Sequence, residues 1–251
     1  MLSKLRAAGA HDVVQHGATW ADADAYLRTS LLDEDESGVY VPPFDHPDIW
    51  TGNATMMHEI KEQLGGVRPE AVVCCVGGGG LFNGVMQGLD ELGWGDAPVI
   101  AVETQGAESL NKSLVAGERV TLPGITSRAT SLGATRVSAK TFEYAQRASV
   151  RSVVLSDAEA AVGCWRLADD ERVMVELAGG VCLALCYEGR LEEVLGRRLT
   201  EENNVVVIAC GGSGVTVEML AEWRRDFGGV EKGMPKNEDV PSALSAPGTD
   251  A

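Results

Sequence analysis

Residues 72–89, VVCCVGGGGLFNGVMQGL, set an apolar run against four consecutive glycines and then resume apolar residues at helical spacing. Such a pattern demands a buried strand, an abrupt turn and a helix packed back on the sheet. Gly77–Gly80 fall where the strand ends and the helix begins. There, unpaired backbone N–H groups and the positive end of the helix dipole face one point, a geometry that favours a phosphate. Without Cβ atoms, successive residues can alternate in conformation and aim several N–H groups at one anion. A tight turn is the plainer reading, but one glycine suffices for a turn, and four suggest a ligand.

The residues after the glycines constrain the kind of phosphate. A P-loop places Lys and Ser or Thr directly after its last glycine, whereas GGGGLFNG supplies Leu81 and Phe82. A dinucleotide fold is a closer rival: Gly78, Gly80 and Gly84 form a loosened glycine fingerprint, and Glu103 ends the next strand where a ribose-binding acid would sit, although the spacing is off by one. Against it stands a second copy of the design. NVVVIACGGSGVTVEML again runs buried strand, small-residue turn and helix, with Cys210 and Gly211 at the strand's carboxyl end. In a parallel sheet both turns can open on one edge and serve a ligand with a phosphate at one end and a ring at the other.

The rest of the chain supports an α/β fold with a mostly parallel sheet. Strand candidates are HDVVQH, GVYVPP, AVVCCV, APVIAVE, VRSVVL and NVVVIAC, the last apolar enough to be buried on both faces. Helix candidates between them are WADADAYLRTSLL after a Thr19 cap, GNATMMHEIKEQLG, GLFNGVMQGLDELG, SDAEAAVGCWRLADDE, the single long VMVELAGGVCLALCYEGRLEEVL, and VTVEMLAEWRRDFG. From Gly229 onward periodicity gives way to Pro, Gly and charge, which predicts a disordered tail over 229–251. At 251 residues the chain can bury a sizeable core.

Charge and cysteine usage narrow the setting. With 21 Lys and Arg against 37 Asp and Glu, the net charge of -16 disfavours nucleic acid and anionic membrane surfaces. No apolar stretch approaches the roughly 18 to 20 residues that span a bilayer. The six cysteines show no zinc spacing and read as reduced thiols, so a cytoplasmic protein is expected. His46 and His58, twelve residues apart, match no ligand spacing and read as loop or helix-face residues.

Taken together and in order, VVCCVGGGGLFNGVMQGL, VIAVETQGAESL, LPGITSRATSLGA, VELAGG and VVVIACGGSG resemble the L-serine/L-threonine dehydratases of the type II pyridoxal-phosphate fold, as does GVYVPPFDHPDIWTGNATMMHEIKEQLG ahead of the glycines. The resemblance covers roughly residues 2 to 228. It implies a tryptophan synthase β-like α/β fold, with residues 1–65 the remainder of a small domain incomplete at its N-terminus and 66–228 a large cofactor-binding domain. The implied activity is elimination of L-serine to pyruvate and ammonia, with L-threonine dehydratase as the alternative and a non-catalytic remnant binding phosphate ligands or partner subunits as another. A homodimer is implied as well.

The resemblance also assigns residues. Gly77, Gly78, Gly79 and Gly80 would hold the phosphate of pyridoxal 5'-phosphate. Cys210, followed by Gly211, would face the pyridine nitrogen, where a thiol favours elimination over transamination. Ser131 falls where the family usually has a small residue against the ring. A monovalent cation, usually potassium, would be held by the Glu103 carboxylate and mostly by backbone oxygens of Ala107, Ser109, Leu132 and Ala134.

The family's S-F-K-like segment, whose lysine bonds the cofactor and removes the Cα proton, and its S-S-G-N-A-G-like substrate loop have no counterpart here. None of the six lysines has a comparable context, so no catalytic lysine is assigned. The expectation is a truncated chain: a shortened gene model, a fragment without catalysis, or a chain completed by a separate piece. CGGSG lacks the usual Asn after its Ser, and VELAGG has Leu177 where Pro is common, which leaves substrate preference open.

Overall fold

The computed structural model describes residues 2–233 and divides into two compact units, one up to Pro43 and the other from Phe44 onward. The first unit holds α1 (Leu2–Ala7) and α2 (Trp20–Tyr26), the latter continued by a π-helical turn, Leu27–Leu31. Thr19 caps α2 as expected. Its hydroxyl accepts from the Asp22 N–H while the Asp22 carboxylate accepts from the Thr19 N–H, so two otherwise unpaired helix donors are satisfied reciprocally.

The strands expected over HDVVQH and GVYVPP do not form. A strand exists only where a neighbour takes up its N–H and C=O groups, and neither segment has one among the described residues. Val39 and Val41 point into solvent, 86% and 74% exposed. Tyr40 between them turns inward, its ring under the Arg28 guanidinium and its hydroxyl bonded to Asp24.

The second unit is built on four parallel strands: β1 (Ala71–Cys75), β2 (Val99–Thr104), β3 (Val150–Leu155) and β4 (Val205–Val207), in the order β3-β2-β1-β4. Register pairs Val73 with Ile100 on one side and with Val207 on the other. β1 and β2 are buried throughout, β1 as its unbroken apolar run requires and β2 including Glu103 and Thr104 at its end. NVVVIAC departs from expectation. β4 is a three-residue edge strand, half-buried, because with no strand beyond it one side stays partly open.

Strand alternation divides the core between two faces. Val72, Cys74, Val76, Val99 and Ala101 pack with Met57, Phe82, Val85, Leu89 and Tyr144. Val73, Cys75, Ile100 and Val102 pack with Ala160, Trp165, Val181, Cys182 and Trp223 on the other face. Helix α3 (Pro47–Gln63) lies on α4 (Gly80–Glu91) because a Cβ at Gly88 would sit 2.7 Å from the Met57 Cβ; the missing side chain lets the helices close, and Met57 and Phe82 are fully buried. Each contributes roughly 1.5–3 kcal/mol.

Beyond β2 come α5 (Ser109–Ala116), a 3₁₀ turn at Thr130–Leu132, α6 (Ala139–Ala145), and α7 (Asp157–Glu171) after the Ser156 capping box. The short α5 and α6 were not anticipated. The single long helix expected over VMVELAGGVCLALCYEGRLEEVL is instead α8 (Leu177–Leu183), a 3₁₀ turn, and α9 (Arg190–Leu195). Left-handed backbone at Glu188 and Gly189 breaks it. Helix α10 (Val217–Gly233) runs into the first residues assigned to the tail; residues 234–251 lie outside the described residues. Among the described residues no helix is long and apolar enough to cross a membrane.

Candidate active site

The strand order reverses between β1 and β4, so the turns leaving their carboxyl ends lie side by side. At the first, Gly79 is left-handed, φ 103°, and caps α4. The close approach that these glycines permit is made by the chain itself. A Cβ on Gly77 would meet the Leu132 backbone at 3.1 Å, one on Gly78 the Phe44 ring at 2.3 Å, one on Gly79 the Thr141 hydroxyl at 1.8 Å, and one on Gly80 the Phe44 backbone at 3.0 Å. Among the described residues the N–H groups of Gly77, Gly78 and Gly79 donate to no acceptor. Free donors at the N-terminus of a 12-residue helix are what a phosphate needs.

The second turn carries thiols. Cys210 Sγ lies 3.3 Å from Cys75 Sγ. The Cys75 thiol in turn hydrogen-bonds Cys182, which with burial holds it well above the ordinary thiol range. The hydrogen bond from Cys75 and then burial push Cys210 far upward, so Cys210 carries a neutral thiol at physiological pH. Gly211 has φ 152°, and its carbonyl accepts from the Glu176 N–H at 3.0 Å, which ties the turn to the start of α8. Ser131 is exposed in the 3₁₀ turn whose next residue, Leu132, packs on Gly77.

Of the residues assigned to the cation, Glu103, Ala107 and Ser109 lie at or just beyond the end of β2, while Leu132 and Ala134 belong to the 3₁₀ turn and the residues after it. Glu103 is fully buried, accepts from the N–H groups of Leu110 at 2.8 Å and Asn111 at 2.7 Å, and thereby caps α5. Burial nonetheless outweighs those donors and pushes its carboxyl up to about 8. Ser109 Oγ is buried without a hydrogen-bond partner. The Ala107 carbonyl accepts from the Ser109 N–H at 3.0 Å, and the Leu132 carbonyl from the Ala134 N–H at 2.8 Å. The two segments are joined by Thr126 N–H to the Gly106 carbonyl, 3.0 Å, and by the Thr104 and Ser127 hydroxyls, 2.8 Å.

Sequence reasoning missed the groups behind the glycine turn. Phe44, Asn83, Ser138 and Thr141 all pack on it, and only Asn83, a polar residue inside an apolar helix pattern, carried a visible signal. Of the lysines in the second unit, Lys112 pairs with Glu108 at 3.0 Å, Lys140 with Glu143 at 2.8 Å, and Lys61 lies over the Trp94 ring. His46 caps α3 and His58 pairs on the surface with Glu91 at 2.8 Å.

A parallel sheet flanked by helices, with a glycine turn and a cysteine turn side by side at one edge, is the scaffold of the type II pyridoxal-phosphate fold. Residues 1–211 match the family described as pyridoxal-phosphate dependent enzyme, and the chain belongs to that family; pyridoxal 5'-phosphate is accordingly its cofactor. It is similar to an L-serine dehydratase of Saccharomyces cerevisiae (strain RM11-1a), 44% identical in an alignment of 233 positions that covers 88% of this chain and 69% of the relative. A serine dehydratase-like protein of Rattus norvegicus is 45% identical over 89% of this chain and 68% of its own length. Among solved structures, a fungal L-serine ammonia-lyase from Rhizomucor miehei superposes with a TM-score of 0.83 at 38% identity, over 90% of this chain and 70% of that one.

Proposed function

We propose that this chain is an L-serine ammonia-lyase, converting L-serine to pyruvate and ammonia. The observation that carries the reading is the pairing of the Gly77–Gly80 turn with the Cys210 turn on adjacent parallel strands, joined to the likeness to L-serine dehydratases. Bound pyridoxal phosphate supplies an electron sink that lets the Cα proton of an amino acid be removed and its β-hydroxyl leave. Gly77–Gly80 would hold its phosphate. Cys210, next to Gly211, would face its ring nitrogen as a neutral thiol that neither donates a full proton nor draws one, and Ser131 would border the ring. No residue of this chain is assigned the proton transfer.

Among the described residues no cation is paired with the buried Glu103 carboxyl, which caps the helix opened by Ser109 with its unpartnered hydroxyl, a combination that a monovalent cation such as potassium would relieve. Ala107, Leu132 and Ala134 would add backbone oxygens. We assign the chain a small domain over 1–65 and a large domain from residue 66 that takes in α10 to its end at Gly233, in a cytoplasmic homodimer. The net charge argues against nucleic-acid partners.

The test is a pyridoxal-phosphate titration, followed by assays for pyruvate from L-serine and 2-oxobutanoate from L-threonine, on the chain alone and with an S-F-K-like segment joined upstream. Cofactor binding with pyruvate formed in either form supports the proposal. Product from L-threonine alone would move the assignment to a threonine dehydratase. Cofactor binding with no product in either form would make the chain a non-catalytic binding protein, and binding of nicotinamide nucleotides in place of pyridoxal phosphate would overturn the reading.

A further inference from the structure

Behind the glycine turn, three buried polar side chains close a ring of hydrogen bonds that the cofactor reading does not use. Asn83 is 0% exposed on the first turn of α4, Ser138 is 2% exposed at the N-cap of α6, and Thr141 is 0% exposed one turn further on. Asn83 Nδ2 donates to Ser138 Oγ at 3.1 Å, the Ser138 and Thr141 hydroxyls are 2.8 Å apart, and Thr141 Oγ1 donates to Asn83 Oδ1 at 2.9 Å. One arrangement uses every hydroxyl proton once: the amide donates to Ser138, Ser138 to Thr141, and Thr141 back to the amide oxygen. Such a loop in a dry interior is mutually reinforcing, and breaking one link leaves buried groups unpaired.

The backbone N–H groups of two residues whose side chains form the ring, Ser138 and Asn83, hold the turn. The Gly78 carbonyl accepts from the Ser138 N–H at 3.0 Å and has Thr141 Oγ1 at 3.3 Å, while the Gly79 carbonyl accepts from the Asn83 N–H at 2.8 Å. In a trans peptide the N–H points opposite to the C=O. Anchoring these two carbonyls inward therefore turns the N–H groups of Gly79 and Gly80 outward, to the mouth of the helix N-terminus. The Thr141 hydroxyl also fills the place a Gly79 Cβ would take.

We propose that Asn83, Ser138 and Thr141 are positioning residues: their closed ring sets the Gly78–Gly79 and Gly79–Gly80 peptides so that two N–H groups aim at the cofactor phosphate. This rests on the assignment of the glycine turn as the phosphate site.

The test compares pyridoxal phosphate with pyridoxal, which lacks the phosphate, in the unaltered chain, Thr141→Val, Ser138→Ala and Thr141→Ser. Thr141→Val keeps the side-chain shape but removes the hydroxyl. Thermal unfolding and circular dichroism identify variants that remain folded. In those, affinity for pyridoxal phosphate should fall about 10- to 100-fold, affinity for pyridoxal should change less than about 2-fold, and Thr141→Ser should restore most of the loss. Equal weakening of both ligands would mark a merely structural role and overturn the proposal, as would unchanged affinity for pyridoxal phosphate in folded Thr141→Val. Should Thr141→Val not fold, Ser138→Ala decides by the same comparison, and Thr141→Ser with unaltered affinity is then expected. If the unaltered chain binds no pyridoxal phosphate, the phosphate-site assignment itself fails, an outcome distinct from the others because no variant is needed to see it.

Discussion

The two turns that meet at the edge of the sheet are built to different tolerances. The glycine turn leaves a fully buried central strand and is enclosed by the Phe44 ring, the Leu132 backbone and the Thr141 hydroxyl, with its carbonyls held by a buried polar ring. The cysteine turn leaves a short, half-buried edge strand, is exposed at Cys210, and is defined by thiols in contact. One end fixes backbone dipoles, which cannot adapt without moving the sheet. The other presents a polarisable side chain, which can. A phosphate demands several donors at fixed positions, whereas a ring nitrogen asks for one neighbour of the right protonation state, and the roles proposed for the two turns divide along that line.

Gly79→Ala should break the first turn with the largest effect. A Cβ there meets Thr141 Oγ1 at 1.8 Å on a residue with φ 103°. The left-handed backbone costs roughly 1–2 kcal/mol and the overlap about 1–3 kcal/mol more. Urea unfolding should show a loss of about 2–5 kcal/mol, together with loss of pyridoxal-phosphate binding. Adding Thr141→Ala removes the closest overlap but leaves a Cβ 2.7 Å away and opens the buried hydrogen-bonded ring, so it should recover only part of the loss; full recovery would show that the backbone cost is wrong.

At the second turn the largest steric constraint is Gly212, whose Cβ would lie 2.1 Å from the Met174 carbonyl oxygen. Gly212→Ala should cost about 1–3 kcal/mol in the same unfolding experiment. Because the disturbance is at the ring end, affinity for inorganic phosphate should stay within about 2-fold, a change under 0.5 kcal/mol. Phosphate affinity that falls as far as in Gly79→Ala would mean that the turns are one mechanical unit and would dissolve the contrast.

How legible this was in the sequence depends on the same division. β1 with its glycines could be read because strand, turn and helix are consecutive and each obeys a local rule; the Thr19 cap was readable for the same reason. The ring of Asn83, Ser138 and Thr141 was not, because its members lie up to 58 residues apart and meet only after α6 packs on α4. NVVVIAC looked central because its composition is apolar, yet strand order, a property of the whole sheet, put it at the edge. HDVVQH and GVYVPP had strand composition and lacked a neighbour to pair with, a condition no single segment encodes. Cys75 was readable as a core thiol, but its contact with Cys210, 135 residues away, was not.

The smallest predicted effect sharpens the comparison through pH. A hydrogen bond and burial raise the thiols of Cys75 and Cys210, burial raises Cys182 against its hydrogen bond with Cys75, and burial lifts Cys164 to about 12. A thiol raised on folding favours the protonated, folded state. Its contribution is complete below the unfolded pKa near 9 and is lost as pH rises from there toward the folded value, because above 9 the unfolded chain binds fewer protons. Unfolding midpoints measured from pH 8 to 11 should therefore fall from pH 9 upward. Cys210→Ser, which removes one such thiol at an exposed position, should flatten that decline while changing stability at pH 7 by less than about 1 kcal/mol. The glycine turn has no titrating group, so Gly79→Ala should lower the whole profile without changing its slope. A flat profile in the unaltered chain would mean that water reaches the thiols, and the ring end would then be an open surface instead of a dry cluster.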